Sequence, residues 1–224
     1  MTAELKQSRD RLVLQEIIEL MSHNQTSQAY SLFQEHSFEQ TSMIQRQIEA
    51  ELLCTMGEKD RAERIYLSMI REFPDAMEPQ FSLASLYQQS GRFQQAIEIL
   101  KNLIQKDDNF YLAWNNLGNL YRDSKDYQKA LECYEKAISI KHDYTPSLCN
   151  LSLTLIDLNQ TQACISRCED LIKNFAQHPL IYHHLSLAYL KQEQKDKALE
   201  AVHHGLELDP YFQPLILLNN KLGA

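Results

Sequence analysis

The chain has 224 residues, enough for one large domain or for an array that grows by repetition. Its 44% hydrophobic and 23% charged residues exclude a disordered chain, and five glycines with six prolines are too few for the turns of an all-β fold. The net charge of −8 argues against nucleic acid or an anionic membrane as the main partner.

The opening residues, MTAELKQSRDRLVLQEIIEL, hold no uninterrupted apolar stretch and no small-residue cleavage site, so no signal peptide is expected. No apolar window of about 18 residues predicts a membrane span. Five cysteines, an odd number without framework spacing, are read as free thiols in a reducing compartment, and a cytoplasmic location is expected.

In chain order, residues 1–42 read as a degenerate hairpin, with LVLQEIIELMS as its first helix and SQAYSLFQEH as its second. Its small–large pair is Ala29 and Phe33, and Ala29 lies 33 residues before Ala62. From residue 43 a period of 34 takes over. Ala62, Ala96, Ala130, Cys164 and Ala198 recur at that interval, each followed four residues on by Tyr66, Leu100, Tyr134, Cys168 or Val202. Leu83, Leu117, Leu151 and Leu185 keep the same interval. A small residue at a fixed offset from a large one lets two helices approach closely.

The tiles are 43–76, 77–110, 111–144, 145–178 and 179–212, followed by 213–224 as a capping helix or the start of a further repeat. Pro74, Pro79, Pro146, Pro179, Pro210 and Pro214 cluster at the joints, outside the predicted helices, because proline removes a donor and clashes with the preceding turn. Gly57 and Gly91 fall where a first helix turns into a second. Lys125 and Asn159 replace that glycine in later tiles, which should loosen those turns. In the last segment Leu215, Leu218 and Leu222 form a candidate buried stripe, with Ile216 and Leu217 left over.

Chemistry is sparse. No phosphate loop, zinc helix or nucleophile elbow occurs, so neither an enzyme nor a cofactor is expected. Cys164 and Cys168 share a helical face but occupy packing positions, where thiols behave as hydrophobes. His183-His184 and His203-His204 are read as surface histidines, and Asp107-Asp108 as a solvated turn.

Trp114-x2-Leu117-Gly118-x2-Tyr121, then Ala130-x3-Tyr134 and Ala137, resembles the tetratricopeptide repeat pattern in order and spacing. Leu83, Ala84, Tyr87, Gly91, Ala96 and Leu100 repeat it, as do Leu185, Ser186, Tyr189, Ala198 and Asp209-Pro210. Asp108, His142 and Ala176 depart from its closing proline. The resemblance implies an all-α, right-handed superhelical solenoid of antiparallel helix pairs, with five clear repeats, the degenerate N-terminal one and the C-terminal cap.

It further implies that the first helices line a concave groove for a protein partner. Tile positions carried over from the family put Phe81, Ser85 and Gln88 there from the second tile, and Asn115, Asn119 and Arg122 from the third. Leu153 and Ile156 follow from the fourth tile, then His183, Leu187, Leu190 and Lys191 from the fifth. Asn116 and Asn150 form a row with Ser82 and His184 at equivalent places. An asparagine amide can pair with the backbone of an extended peptide or bridge neighbouring helices, and both readings stand. Asn115, Asn119 and Leu180 stand where lysines would grip a carboxylate, so a chaperone-type carboxylate clamp is not expected.

Leu153, Ile156, Leu187 and Leu190 make the C-terminal end of this groove aliphatic, which calls for cover. A bound partner, the terminal helix 213–224 or a homodimer could each supply it. The expected function is a non-catalytic interaction module, an adaptor, scaffold or chaperone that holds a peptide or amphipathic helix. The alternative is the substrate-recruiting domain of a larger glycosyl-, sulfo- or methyltransferase.

Overall fold

The computed structural model describes residues 3–36, 38, 42–174 and 178–223. Ala176, one of the replaced closing prolines, lies outside the described residues, as do Met1, Thr2 and Ala224 at the two ends. Among the described residues there are thirteen helices and no strand, the all-α class expected. The chain divides into two compact units, Met1–Ile99 and Leu100–Ala224.

The first unit contains α1 (Ala3–Ser22), α2 (Thr26–Glu35), α3 (Met43–Thr55), α4 (Lys59–Glu72) and α5 (Met77–Gln89), followed by α6 (Phe93–Lys106). α1 starts at Ala3, well ahead of the start at Leu12 that the apolar spacing suggests. Ile17 and Ala29 are fully buried with Ile48 and Leu52, so α1, α2 and α3 share one apolar core. Ser42 starts α3 with a reciprocal cap: its hydroxyl accepts from the Gln45 N–H at 3.3 Å, and its own N–H donates to the Gln45 side chain at 2.7 Å.

The second unit contains α7 (Tyr111–Asp123), α8 (Tyr127–Ile140), α9 (Thr145–Asp157), α10 (Thr161–Asn174), α11 (Pro179–Lys191), α12 (Lys195–Leu208) and α13 (Gln213–Gly223). Each helix packs on the next, and α7 with α9, α9 with α11 and α11 with α13 also touch. This is how a stack of hairpins joins first helix to first helix. Ala130, Cys164 and Ala198 are at 0% exposure, as are Tyr134, Cys168 and Val202, the larger members of their pairs. Gly118 shows the same logic pushed further. A Cβ there would lie 2.6 Å from the Tyr134 ring, so α7 and α8 meet at a distance only glycine allows.

Four prolines lie inside helices, contrary to the sequence reading. Pro79, Pro146, Pro179 and Pro214 occupy the first turns of α5, α9, α11 and α13. Backbone N–H groups there have no intrahelical acceptor, so proline removes nothing the helix uses. Only Pro74 and Pro210 sit in the joints between helices.

The intra-hairpin turns share one geometry. Asn24, Gly57, Gly91, Lys125, Asn159 and Glu193 all have φ between +58° and +83°. The next residue's N–H returns to the helix in each case, at 2.8 Å for Arg92 to the Tyr87 carbonyl, Asp126 to Tyr121 and Gln160 to Leu155. The turns at Lys125 and Asn159 are therefore not loosened; they keep their hydrogen bonds and hold a side chain in the left-handed region. Relieving that strain with Lys125→Gly or Glu193→Gly should raise unfolding free energy by about 0.5–1 kcal/mol each, with a smaller gain for Asn159→Gly. Urea denaturation midpoints measure it, and an unmoved Lys125→Gly midpoint would show the turn is unstrained.

Candidate functional site

The asparagines of the second unit turn inward to one another. Asn115 is only 4% exposed. Its Oδ1 accepts from the Ser147 hydroxyl at 3.0 Å and the Asn150 amide at 3.3 Å, and its own amide donates to Asn116 Oδ1 at 3.2 Å. The Asn150 amide also donates to Asn119 Oδ1 at 2.9 Å, which takes a further bond from the Tyr134 hydroxyl at 2.8 Å. This geometry bridges helices: α7 is tied to α9 through Asn150 and to α8 through Tyr134. Buried amides paired in this way hold a packing register and keep their polar atoms satisfied.

The aliphatic end is largely covered from within. Ile156 is 7% exposed and belongs to the core formed with Leu155, Ile181 and Leu185. Leu187 and Leu190 pack against Val202, Leu215 and Leu218, so α13 lies over them. Leu215 and Leu218 form the buried stripe of α13, while Leu217 faces outward at 67% exposure. Gly205 makes this possible, because a Cβ there would come within 2.3 Å of Leu215 Cδ1 and 3.0 Å of Tyr182 Cβ. Only Leu153 of the four is left half-open without α13 over it. Lys191 reaches back along α9, its Nζ donating to the Ile156 carbonyl at 2.9 Å. That contact satisfies a helix C-terminus and places the cation where the helix dipole favours it.

His183 and His184 correct a further expectation. His184 is 3% exposed and His183 half-buried, so neither ring is an ordinary surface group. Burial, reinforced by the neighbouring His183, lowers the His184 pKa to about 4. His183 is lowered by burial alone. His203 and His204 are exposed. Cys164 and Cys168 are fully buried in the core of the second unit, in contact with the backbone and hydroxyl of Ser152. Among the described residues no three His, Cys, Asp or Glu side chains are grouped to hold a metal ion.

Polar atoms on the first helices remain without partners. Arg122 Nη1 on α7 and His183 Nδ1 on α11 are buried with no hydrogen bond, and so is Gln47 Oε1 on α3 in the first unit. There Phe81, Ser85 and Gln88 of α5 are half-buried, and the Ser85 hydroxyl donates to the Phe81 carbonyl of its own helix at 3.1 Å. The first unit also holds a cavity of about 480 Å³ that the sequence reading missed. α1 contributes Ile18 and Met21, α3 contributes Ile44 and Gln47, and α5 contributes Glu78. The signal was available: counting the same tile positions from residue 43 yields Ile44, Gln47 and Glu51, all of which line it.

Hairpins repeating every 34 residues define an α-helical repeat protein. The chain contains tetratricopeptide repeats. Tetratricopeptide repeat models match residues 111–144, 81–110 and 180–212. Human protein O-mannosyl-transferase TMTC1 is 28% identical over 129 residues, which is 58% of this chain and 14% of that protein. The Arabidopsis thaliana N-terminal acetyltransferase A complex auxiliary subunit NAA15 is 23% identical over 133 residues, 59% of this chain and 15% of that protein. The chain thus spans only a small part of these two relatives. The solved structure of Pseudomonas aeruginosa pilF superposes with a TM-score of 0.68 at 14% identity, covering 96% of this chain and 99% of that one, and shows the shared fold. The chain is a repeat module for protein–protein interaction, and no described helix is long and apolar enough to cross a membrane.

Proposed function

We propose that this chain is a non-catalytic adaptor that holds a segment of a partner protein along the first helices of its second unit. The observation that carries this reading is a pair of partnerless buried polar atoms on first helices of the second unit, Arg122 Nη1 on α7 and His183 Nδ1 on α11. A buried polar atom left unpaired costs about 1–3 kcal/mol, so the pair on α7 and α11 favours groups arriving from outside. A polypeptide supplies both kinds, carbonyls for the Arg122 N–H and amide or side-chain groups for His183. Leu153 adds a half-open apolar contact on the helix between Arg122 and His183. The asparagine bridge fixes the spacing of α7 and α9 on which such a contact depends.

Selection of a displayed random 16-residue peptide library on the immobilised chain tests this. Enriched peptides should compete with one another and bind at least about tenfold more weakly to an Arg122→Ala/His183→Ala variant of unchanged circular dichroism, the equivalent of about 1.4 kcal/mol. Selected peptides that bind this variant undiminished would place the partner surface elsewhere.

A further inference from the structure

We propose that the cavity of the first unit receives a basic amphipathic helix from a partner protein. This extends the adaptor reading to the first helices of the first unit, and it rests on that reading. The cavity is walled by apolar side chains that protrude: Ile18 is 52% exposed, Ile44 63% and Met43 37%. α1 already buries Ile17 in the core of the unit, so Ile18 is an outward apolar residue with no packing role inside it. Three large exposed apolar side chains around one cavity of about 480 Å³ form a patch of the kind that soluble proteins reserve for a partner. Met21, Met43 and Met69 line it together, and flexible thioether side chains let such a wall fit anchors of more than one shape.

Charge decides what flanks the anchor. Glu51 and Glu78 stand in the wall, and among the described residues no lysine or arginine does. The unit as a whole is acidic: residues 1–99 hold nine basic and fifteen acidic side chains, so most of the net charge of −8 resides there. A segment carrying lysine or arginine beside its apolar anchors is steered to this mouth and paired within it, whereas an acidic one is repelled.

Backbone chemistry decides between a helix and an extended strand. An extended peptide brings an unpaired N–H and C=O at nearly every residue, and each must find a partner when it is buried. The cavity wall offers little for that: among the described residues its one buried side-chain atom without a partner is Gln47 Oε1, and the Gln47 amide is spent on Glu51 and Ser82 at 2.6 and 2.7 Å. A helix arrives with its backbone already paired and presents apolar residues at i, i+3 and i+4, which suits a wall built from α1, α3 and α5.

Fluorescence anisotropy with three labelled 18-residue peptides tests the proposal on the whole chain: a lysine/leucine amphipathic helix, its glutamate/leucine counterpart, and the lysine/leucine composition interrupted by prolines. The lysine/leucine helix should bind at least about tenfold tighter than either of the others. Ile44→Glu and Ile18→Glu, both at exposed positions where folding is not at stake, should weaken it at least about tenfold. These variants make the chain more acidic, so attraction by net charge alone would strengthen binding instead, and that result would overturn the proposal. Equal binding of the proline-interrupted peptide would overturn the helix, and preference for the glutamate peptide would overturn the charge. Concentration-dependent dimerisation abolished by Ile44→Glu, seen by analytical ultracentrifugation, would overturn it in favour of a second copy as occupant. If the lysine/leucine helix fails while library-selected peptides still depend on Arg122 and His183, only this inference falls and the adaptor reading stands.

Discussion

Gly118→Val should destabilise the protein by about 3 kcal/mol, one of the largest effects of any conservative change in the chain. The β-carbon alone would sit 2.6 Å from Tyr134 Cε1. The ring cannot yield, being fully buried with its hydroxyl bonded to Asn119 at 2.8 Å. Removing a helix-interior glycine gains about 1 kcal/mol in propensity, too little to offset a clash of this depth. Paired with Gly118→Ala, Tyr134→Leu should recover part of the loss. Urea unfolding of the four species in that cycle should give a coupling above about 1 kcal/mol, and additive effects would show that the two residues are not in conflict.

Acid should weaken the fold before carboxylates titrate, and His184 is the reason. Its folded pKa, about 4, lies below the ordinary value of 6.5 because burial and the neighbouring His183 disfavour the cation. Above pH 6.5 the ring is neutral in both states and nothing is lost. As pH falls below 6.5 the unfolded chain binds a proton that the folded chain refuses, so stability declines until the folded ring also protonates near pH 4. Between pH 7 and 4.5 the loss amounts to about 2–3 kcal/mol. His184→Asn, which installs the residue found at the equivalent places 116 and 150, should flatten the dependence of unfolding free energy on pH across that window. A slope unchanged by the substitution would assign the acid sensitivity to another group.

The repeat was legible because it is written in local spacing. A small residue every 34 positions with a large one four later fixes which helix faces meet, whatever lies around them. Cover was not legible in the same way. Leu187 and Leu190 look available in their own tile. What closes them is α13, and α13 can close them because Gly205 has no side chain to hold Leu215 away. The histidines failed for a related reason: residue type suggests a wet surface, and only packing shows that His184 lies inside. The α3 wall of the first unit's cavity follows the tile positions, whereas its α1 wall was hidden by the slip of one residue between Ala29 and Ala62, where the period of 34 does not reach. The asparagine pairings span 31 and 35 residues, and a sequence offers both donors and acceptors without saying which will meet.

The amide bridge gives the second unit a direction. None of its members carries a formal charge, so the bridge among α7, α8 and α9 holds alike in acid, at neutrality and in high salt. α11 is held instead around a ring that resists protonation. In a stack where each hairpin leans mainly on its neighbours, unequal sensitivities of this kind do not average out. Lowering the pH should therefore loosen the α11–α13 side of the unit before the end stapled by Asn115, Asn119 and Asn150.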